Sequence, residues 1–573
     1  MKHVSTLATN YFAGLAWGGA LLLALLVVPV GAARAQASSF APVVSYTSGV
    51  GILSAPHGVA QGDLNGDGLL DIVTANFYAG MVGVLLGTPG GSFAPVVAYP
   101  AGGGLAYEVA VGDLNGDGRP DIVVTNGNLP TASVLLGQGG GTFAAAVPYA
   151  TGANGSPNGL ALGDVNNDGR LDLVVTNYNT GTAGVLLGQA GGTFAAVVQY
   201  ATGAAASQPI GVALGDLNGD GWLDIVAATS TLNTSAPGPP VGLAAVLLGQ
   251  GGGRFAVPVE YQLSGINSRS LGVALGDVNG DGQLDIVGGN GAGNAVGVLL
   301  GLGGGTFASA TQYAAGANSA PQSVALGDVN GDGQLDIVSG NYLSGTAGVL
   351  LGTGLGNFAP MVHFAAGSAL VGLTLGDANG DGKLDIITTN ESTYSAGVLL
   401  NTTVYEPPTL RSVSPANSPV GFSITLTGTY LSSVRAVRFN GTAATTFAVV
   451  NATTVTATVP PGATSGPVTV TTPGGTAAGV SFLVSTPSAA LGARPADVAL
   501  APNPTHDAFT VTLPAGFGPV ASAELLNALG QVVRRQAPRG LRFRVETSGL
   551  APGLYTLRLQ AGGTALARRV VVE

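Results

Sequence analysis

Apolar and polar positions along this chain change over every few residues, the pattern of short strands separated by glycine turns, and helices are expected to be scarce. One stretch shows the unit: Gly159-Leu-Ala-Leu-Gly163, a polar loop, Leu173-Val-Val-Thr176, Ala183-Gly-Val-Leu-Leu187, a glycine turn, then Phe194-Ala-Ala-Val-Val-Gln-Tyr200. That unit reads as four strands, and it recurs at a period that suits one four-stranded propeller blade.

The polar loop is Asp-x-Asn-x-Asp-Gly-x-x-Asp, and its copies start 50, 51, 52, 61, 51 and 49 residues apart. Position 1 is Asp63, Asp113, Asp164, Asp216, Asp277, Asp328 or Asp377, and position 3 is Asn65, Asn115, Asn166, Asn218, Asn279, Asn330 or Asn379. Position 5 is Asp67, Asp117, Asp168, Asp220, Asp281, Asp332 or Asp381, and position 9 is Asp71, Asp121, Asp172, Asp224, Asp285, Asp336 or Asp385. Three carboxylates this close repel one another by about 1 kcal/mol per pair at 4 Å in water and several times more near a protein surface, a penalty that a divalent ion removes. The position-7 residues, Leu69, Arg119, Arg170, Trp222, Gln283, Gln334 and Lys383, would add a backbone carbonyl. Six or more oxygens suit calcium better than the smaller, octahedral magnesium, and the glycine at position 6 allows the sharp turn. The last ligand comes too early for an EF-hand. The residues that follow, Ile72-Val73-Thr74, are β-branched and start a strand.

A second series predicts how the ring closes. Phe40, Phe93, Phe143, Phe194, Phe255, Phe307 and Phe358 each open a fourth strand, with an aromatic six residues later, from Tyr46 to Phe364. The first phenylalanine precedes every loop, and the last loop is followed by a third strand, Ala396-Gly-Val-Leu-Leu400, with no fourth. The segment near Phe40 to Tyr46 is therefore expected to complete the last blade and leave no open sheet edge. The expectation is an all-β chain, with a seven-bladed propeller over 36–405.

The Gly-Asp-x-Asn-Gly-Asp-Gly-x-x-Asp-Ile pattern resembles the FG-GAP or VCBS repeats of integrin-α-like propellers, over roughly 370 residues. The resemblance implies structural calcium in the loops joining strands 1 and 2 on one face, with ligand recognition more often on the other. Asn167 and Pro120 depart from the pattern without removing a side-chain ligand. Pro407 and Pro408 then mark a boundary. Over 408–485, Ser412-Val-Ser-Pro415, Ile424-Thr-Leu-Thr-Gly428, Val437-Arg-Phe-Asn-Gly441 and Gly466-Pro-Val-Thr-Val470 resemble an IPT/TIG immunoglobulin-like sandwich. A small-residue linker covers 486–499. The segment 500–573 carries Ala501-Pro-Asn-Pro504, Leu526-Asn-Ala-Leu-Gly530, Ser548-Gly-Leu-Ala-Pro-Gly-Leu-Tyr555 and Arg568-Arg-Val-Val-Val-Glu573. These resemble the C-terminal sorting domain of the Bacteroidetes type IX secretion system, a further small β-sandwich. That likeness implies recognition by the secretion machinery and an extracellular or outer-membrane surface location.

Composition narrows the picture. The chain has 573 residues, 94 of them glycine, with 9% charged and no cysteine, so disulfides and thiol chemistry are excluded. Of its 30 acidic residues the seven loops hold 21, so the formal charge of -11 mostly reflects candidate ligands. About seven structural calcium ions would bring that charge to about +3. No basic patch supports a nucleic-acid partner. Lys2 and His3, an apolar run from Gly14 to Val30 and Ala33-Arg34-Ala35 before Gln36 read as a secretory signal over 1–35. The uninterrupted apolar core, Ala20 to Val30, is short for a membrane anchor, and no later stretch is expected to span a bilayer.

Outside the loops the propeller segment holds only Glu108, Glu260 and Glu391 as acids and His57 and His363 as histidines, and no catalytic triad, zinc cluster or phosphate loop can be built from them. The metal loops and glycine turns barely vary between copies, whereas the connections on the opposite face do, and variable loops are where function concentrates. His57, Tyr107, Asn158 and Gln322, each six residues before a loop, with Glu108 adjacent, are the candidate ligand face. A Pro- and Ser-rich insertion, Ser230 to Gly242, lies on that face. We expect a secreted or surface-attached calcium-binding recognition module for a glycan or protein, not an enzyme. A polysaccharide-active lyase or hydrolase using Glu108 or His57 is the alternative, and a passive extracellular structural protein is a third reading.

Overall fold

A computed structural model describes residues 37–49, 54–203, 207–231, 241–266, 270–432, 434–485, 498–514, 520–527, 531–538, 540–561 and 564–573. The expected signal segment and most of the linker and insertion lie outside these residues. The sequence repeats fold into seven four-stranded antiparallel sheets. In the third, Pro157–Gly163, Asp172–Asn177, Thr182–Leu186 and Val198–Ala201 run from inside to outside, with Gly163 opposite Asp172, Leu173 opposite Leu186 and Val185 opposite Val198. The inner strands adjoin one another in turn, and that of the seventh sheet, Leu370–Gly376, meets that of the first, Pro56–Gly62.

Every residue of the second strands Asp71–Asn76, Asp121–Asn126 and Asp172–Asn177 is buried, because each sheet is covered on both faces by its neighbours. This explains why these strands read as continuous apolar runs without alternation. The core is accordingly a series of layers between sheets: Val73, Ala75 and Val84 of the first pack with Val109, Ile122 and Leu135 of the second.

The seventh sheet is completed from the other end of the repeat region. Val44–Thr47 pairs antiparallel with Ser395–Leu399, Val44 opposite Val398 and Thr47 opposite Ser395, and Phe40 bridges Asn401. The aromatic series locks the ring. Edge-on pairs join each sheet to the next: Tyr46 with Phe93, Tyr99 with Phe143, Tyr149 with Phe194, Tyr200 with Phe255, Tyr261 with Phe307 and Tyr313 with Phe358. Phe364 with Phe40, 5.0 Å between centroids, closes the cycle. Tyrosine hydroxyls also donate across the seams, Tyr200 to the Gly253 carbonyl at 3.0 Å and Tyr313 to that of Gly356 at 2.9 Å.

Two expectations need correction. The phenylalanines do not open the outer strands: Phe93 belongs to a separate two-stranded hairpin, Gly87–Thr88 with Ser92–Phe93, and the outer strand starts at Val97. Breaking the strand there turns the ring toward the preceding sheet's tyrosine. The insertion, in turn, begins as sheet, since Asp224–Thr231 and Val241–Leu247 stay paired out to Thr231 opposite Val241.

Beyond the disc, one sheet of Thr409–Ser414, Ser423–Thr429, Thr454–Thr458 and Phe447–Asn451 faces another that includes Ala436–Phe439, Gly466–Thr472 and Val480–Val484. Phe439 and Phe482 sit at the centre of this immunoglobulin-like core, and Asn440-Gly441, both with positive φ, make the hairpin turn. The C-terminal segment packs Val498, Phe509, Leu525, Leu557 and Val570 into its own core. There Glu524, 3% exposed, is held by Arg535 and Arg558.

If the aromatic seams hold the ring together, Phe93→Ala, at a site 8% exposed, will lower unfolding free energy by about 3–5 kcal/mol in urea titration. A loss below about 1 kcal/mol would contradict the seam's role.

Candidate functional site

The disc presents two chemically distinct faces. On one, each Asp-x-Asn-x-Asp-Gly-x-x-Asp loop connects the inner strand to the second strand. In the first loop, Asp63 accepts from the amides of Gly66 at 2.7 Å, Asp67 at 3.1 Å and Gly68 at 2.8 Å. Asn65 accepts from the Asp67 amide at 2.8 Å, and Asp67 from the Leu69 amide at 2.8 Å and the Asn65 side chain at 2.9 Å. Glycines 66 and 68, at φ 80 and 82, provide the left-handed backbone this wrap needs.

Asp71 behaves differently. It is fully buried, and its two oxygens accept from the Leu64 amide at 2.7 Å and the Gly87 amide at 2.6 Å, so it ties its loop to the end of the third strand. The same pair of bonds recurs at Asp121, Asp172, Asp224, Asp285, Asp336 and Asp385. Burial raises the pKa of Asp71 above the ordinary aspartate value, and the Gly87 and Leu64 amides oppose the shift. Asp336 is pushed furthest, to about 8.

Position-7 side chains pack beside their loops. Trp222 lies over Gly251, Arg119 beside Gly139, Gln283 beside Gly303 and Gln334 beside Gly354. Arg170 pairs with Asp168 at 2.5 Å, and Lys383 with Asp381 at 3.5 Å. Among the described residues no three acidic or histidine side chains cluster as a metal-holding group by themselves. Asp377 differs from the other position-1 aspartates in that its Oδ1 is buried without a hydrogen-bond partner.

On the other face the seven inner strands surround a central cavity of about 200 Å3, lined among others by His57, Tyr107, Glu108 and Gln322. Asn158 is not among the lining residues; it is 8% exposed, and its carbonyl accepts from the Thr125 hydroxyl at 3.0 Å. His57 stacks on Phe77, 4.4 Å between centroids and 6° from parallel, and Tyr107 meets it edge-on at 5.0 Å. Tyr78, 58% exposed, extends this cluster to the surface through an edge contact with Phe77 at 4.9 Å. Farther round, the Tyr342 hydroxyl donates to Glu391 at 3.2 Å.

Burial lowers the His57 pKa to about 4, so the ring is neutral at pH 7, and raises Glu108 to about 7, with the Val109 amide at 3.3 Å opposing the shift. The Glu108 carboxyl lies over Gly58, where any side chain would collide with it. Sequence reasoning did not place Phe77, Tyr342 or Glu391 on this face. Each directly follows the buried asparagine that ends a second strand (Asn76, Asn341 and Asn390), a position that aligning the repeats on that asparagine would have exposed.

Comparison with known proteins gives the class. A profile of FG-GAP-like repeats matches residues 63–124, 113–175, 164–227, 277–339 and 328–388. An IPT/TIG domain matches 408–485, and a secretion system C-terminal sorting domain matches 499–573. The chain is thus a propeller of FG-GAP-like repeats joined to an IPT/TIG domain and a type IX sorting domain. The sorting domain engages the secretion machinery and directs the protein to the extracellular space or outer-membrane surface of a Bacteroidetes-type bacterium. Among the described residues no helix is long and apolar enough to cross a membrane.

No curated protein matches the chain. Solved structures similar to it include a lectin from Agrocybe aegerita that recognises non-reducing terminal N-acetylglucosamine, at 23% identity and TM-score 0.39, covering 55% of this chain and 81% of the lectin. BBS1N in complex with ARL6DN matches at 13% identity and TM-score 0.44, covering 63% and 96%. A protein from Lactobacillus plantarum matches at 14% and 0.40, covering 56% and 89%.

With chelator present, Asp71→Ala will cost about 3 kcal/mol by thermal unfolding, because two buried amides lose their acceptor, while Asp67→Ala will cost less than about 1 kcal/mol. Equal losses would contradict this division of roles. Glu108 has a raised folded pKa, so the native state holds its proton more tightly, and this contribution to stability is lost as pH rises from about 4.5 through about 7. Glu108→Gln should therefore gain stability relative to the parent across that interval, on the order of 2 kcal/mol, and a pH-independent difference would contradict the shift.

Proposed function

We propose that this exported protein is a recognition module: a disc stabilised by calcium that binds a glycan or protein partner at the channel mouth without turning it over. The observation that carries the reading is the aromatic cluster of His57, Phe77, Tyr78 and Tyr107 on the face where the repeats differ from one another. Aromatic faces offer a large apolar contact area with a polar edge, suited to sugar rings and to protein side chains alike.

Calcium is supported by the chemistry of the loops. The side-chain donors at positions 1, 3, 5 and 9 are all hard oxygens, a set that suits calcium and disfavours zinc or redox metals. The unpartnered buried Oδ1 of Asp377 is an acceptor still to be satisfied. An ion in that loop would be held by the side chains of Asp377, Asn379 and Asp381, the Lys383 carbonyl and the buried Asp385, and would neutralise the repulsion among the carboxylates.

A second reading, a polysaccharide lyase or hydrolase, draws on Glu108, whose raised pKa suits a general acid or base near neutral pH. Against it, His57 is clamped between aromatic rings and its Nδ1 has no hydrogen-bond partner, so no carboxylate orients it for proton transfer. The deciding experiment is a glycan-array and protein pull-down screen of the mature chain in calcium. We expect binding that Tyr107→Ala or Phe77→Ala weakens by about tenfold or more. Turnover of a polysaccharide that Glu108→Gln abolishes would replace this reading with the enzyme, and an empty screen would favour a passive structural protein.

A further inference from the structure

The cation loops are not equivalent. A Cβ built on either glycine of the first loop, Gly66 or Gly68, meets nothing within 4 Å, and the same holds for Gly116 and Gly118 of the second. In the sixth loop a Cβ on Gly331 runs into the ring of Tyr405 at 2.8 Å, and one on Gly333 runs into Ser432 of the immunoglobulin-like domain, with Ala452 in van der Waals contact at 3.5 Å. The contact is specific as well as close. Ser432 donates from its hydroxyl to the Gly331 carbonyl at 3.0 Å, and the Tyr405 hydroxyl donates to the Val329 carbonyl at 3.3 Å. Asn330 at position 3 is 1% exposed as a result.

We propose that the sixth cation loop is the docking seat of the immunoglobulin-like domain, so that a divalent cation bound there fixes that domain against the disc. The inference rests on the calcium reading above and goes beyond it, because it gives one of seven otherwise similar loops an interdomain role. The physical link is solvent. Docking removes water from Asp328 and Asp332, and covered carboxylates that repel one another oppose docking unless a cation neutralises them. Ion binding and docking therefore favour each other, and the coupling is reciprocal. The immunoglobulin-like domain also reaches the neighbouring seventh loop, where the Arg435 guanidinium lies against Gly382. The sixth loop receives Ser432, Ala452 and Tyr405, which carry no charge to offset its aspartates.

The chain has no cysteine, so Val257→Cys on the disc, at a residue 84% exposed, and Val450→Cys on the immunoglobulin-like domain, at one 59% exposed, take a pair of spin labels without background. Pulsed dipolar spectroscopy on the mature chain should give one narrow distance in calcium and a distribution at least twice as broad in chelator. Asp328→Asn with Asp332→Asn should broaden it in calcium, and Asp63→Asn with Asp67→Asn in the first loop should not. Gly333→Ala, which keeps every ligand but meets Ser432, should broaden it too, whereas Gly68→Ala, with a similar φ of 82 against 86, should not. A sixth-loop variant that stays narrow, or a first-loop variant that broadens as much, overturns the proposal. Thermal unfolding of the same samples separates the two levels. If calcium raises the melting temperature but leaves the distance unchanged, only the interdomain role falls. If calcium does not move the melting temperature, the calcium reading falls and takes this one with it.

Discussion

One hydrogen-bonded pair recurs in every sheet of the disc: a buried aspartate at position 9 accepting from the amide seven residues behind it and from another at the end of the third strand. Burying a carboxylate is costly unless its oxygens are satisfied, and two backbone donors satisfy this one in a place water does not reach. The consequence is mechanical. With one end of the loop fixed to the sheet, its remaining oxygens at positions 1, 3 and 5 accept from the loop's own amides, wrapped by left-handed glycines. The same bond that rigidifies a sheet therefore also shapes its candidate cation seat.

The second constraint is closure. Sheets buried on both faces need neighbours, and a row of them ends in an exposed apolar sheet face unless it bends round on itself. Here the bend is completed by pairing Val44–Thr47 with Ser395–Leu399 and by the Phe364–Phe40 contact, so the two ends of the repeat region depend on each other. A ring built this way gathers its inner strands around a central cavity, and the residues at the start of those strands become neighbours although about 50 residues separate them in sequence.

Much of this was readable from residue spacing. The strand order and the closing N-terminal strand follow from two series with one shared period, because a repeat must contact its copies in the same way each time, whereas which tyrosine meets which phenylalanine does not. Other features were not readable. A pattern of oxygen side chains shows that position 9 belongs to the loop but not that it faces inward, since burial depends on the neighbouring strand's Gly87 or Gly188 amide. The opening of the central cavity was half legible: His57, Tyr107 and Glu108 stood out by register, whereas Phe77 lies on a different connection and joins His57 only in three dimensions. The cover over the sixth loop was hidden because part of it comes from another domain, at Ser432, and the rest from Tyr405, at the end of the propeller segment.

Together these observations describe an exported disc whose rigidity comes from buried carboxylate–amide bonds and aromatic seams, with oxygen-rich loops on one face and a varied aromatic opening on the other. If the oxygens of each loop hold a hard divalent cation, the number of ions retained must equal the number of loops. Equilibrium dialysis of the mature protein against radioactive calcium counts them. Saturation near seven ions per chain is expected, one for each loop in the sequence. Saturation at one or two ions, or no calcium retained above a magnesium background, would contradict it.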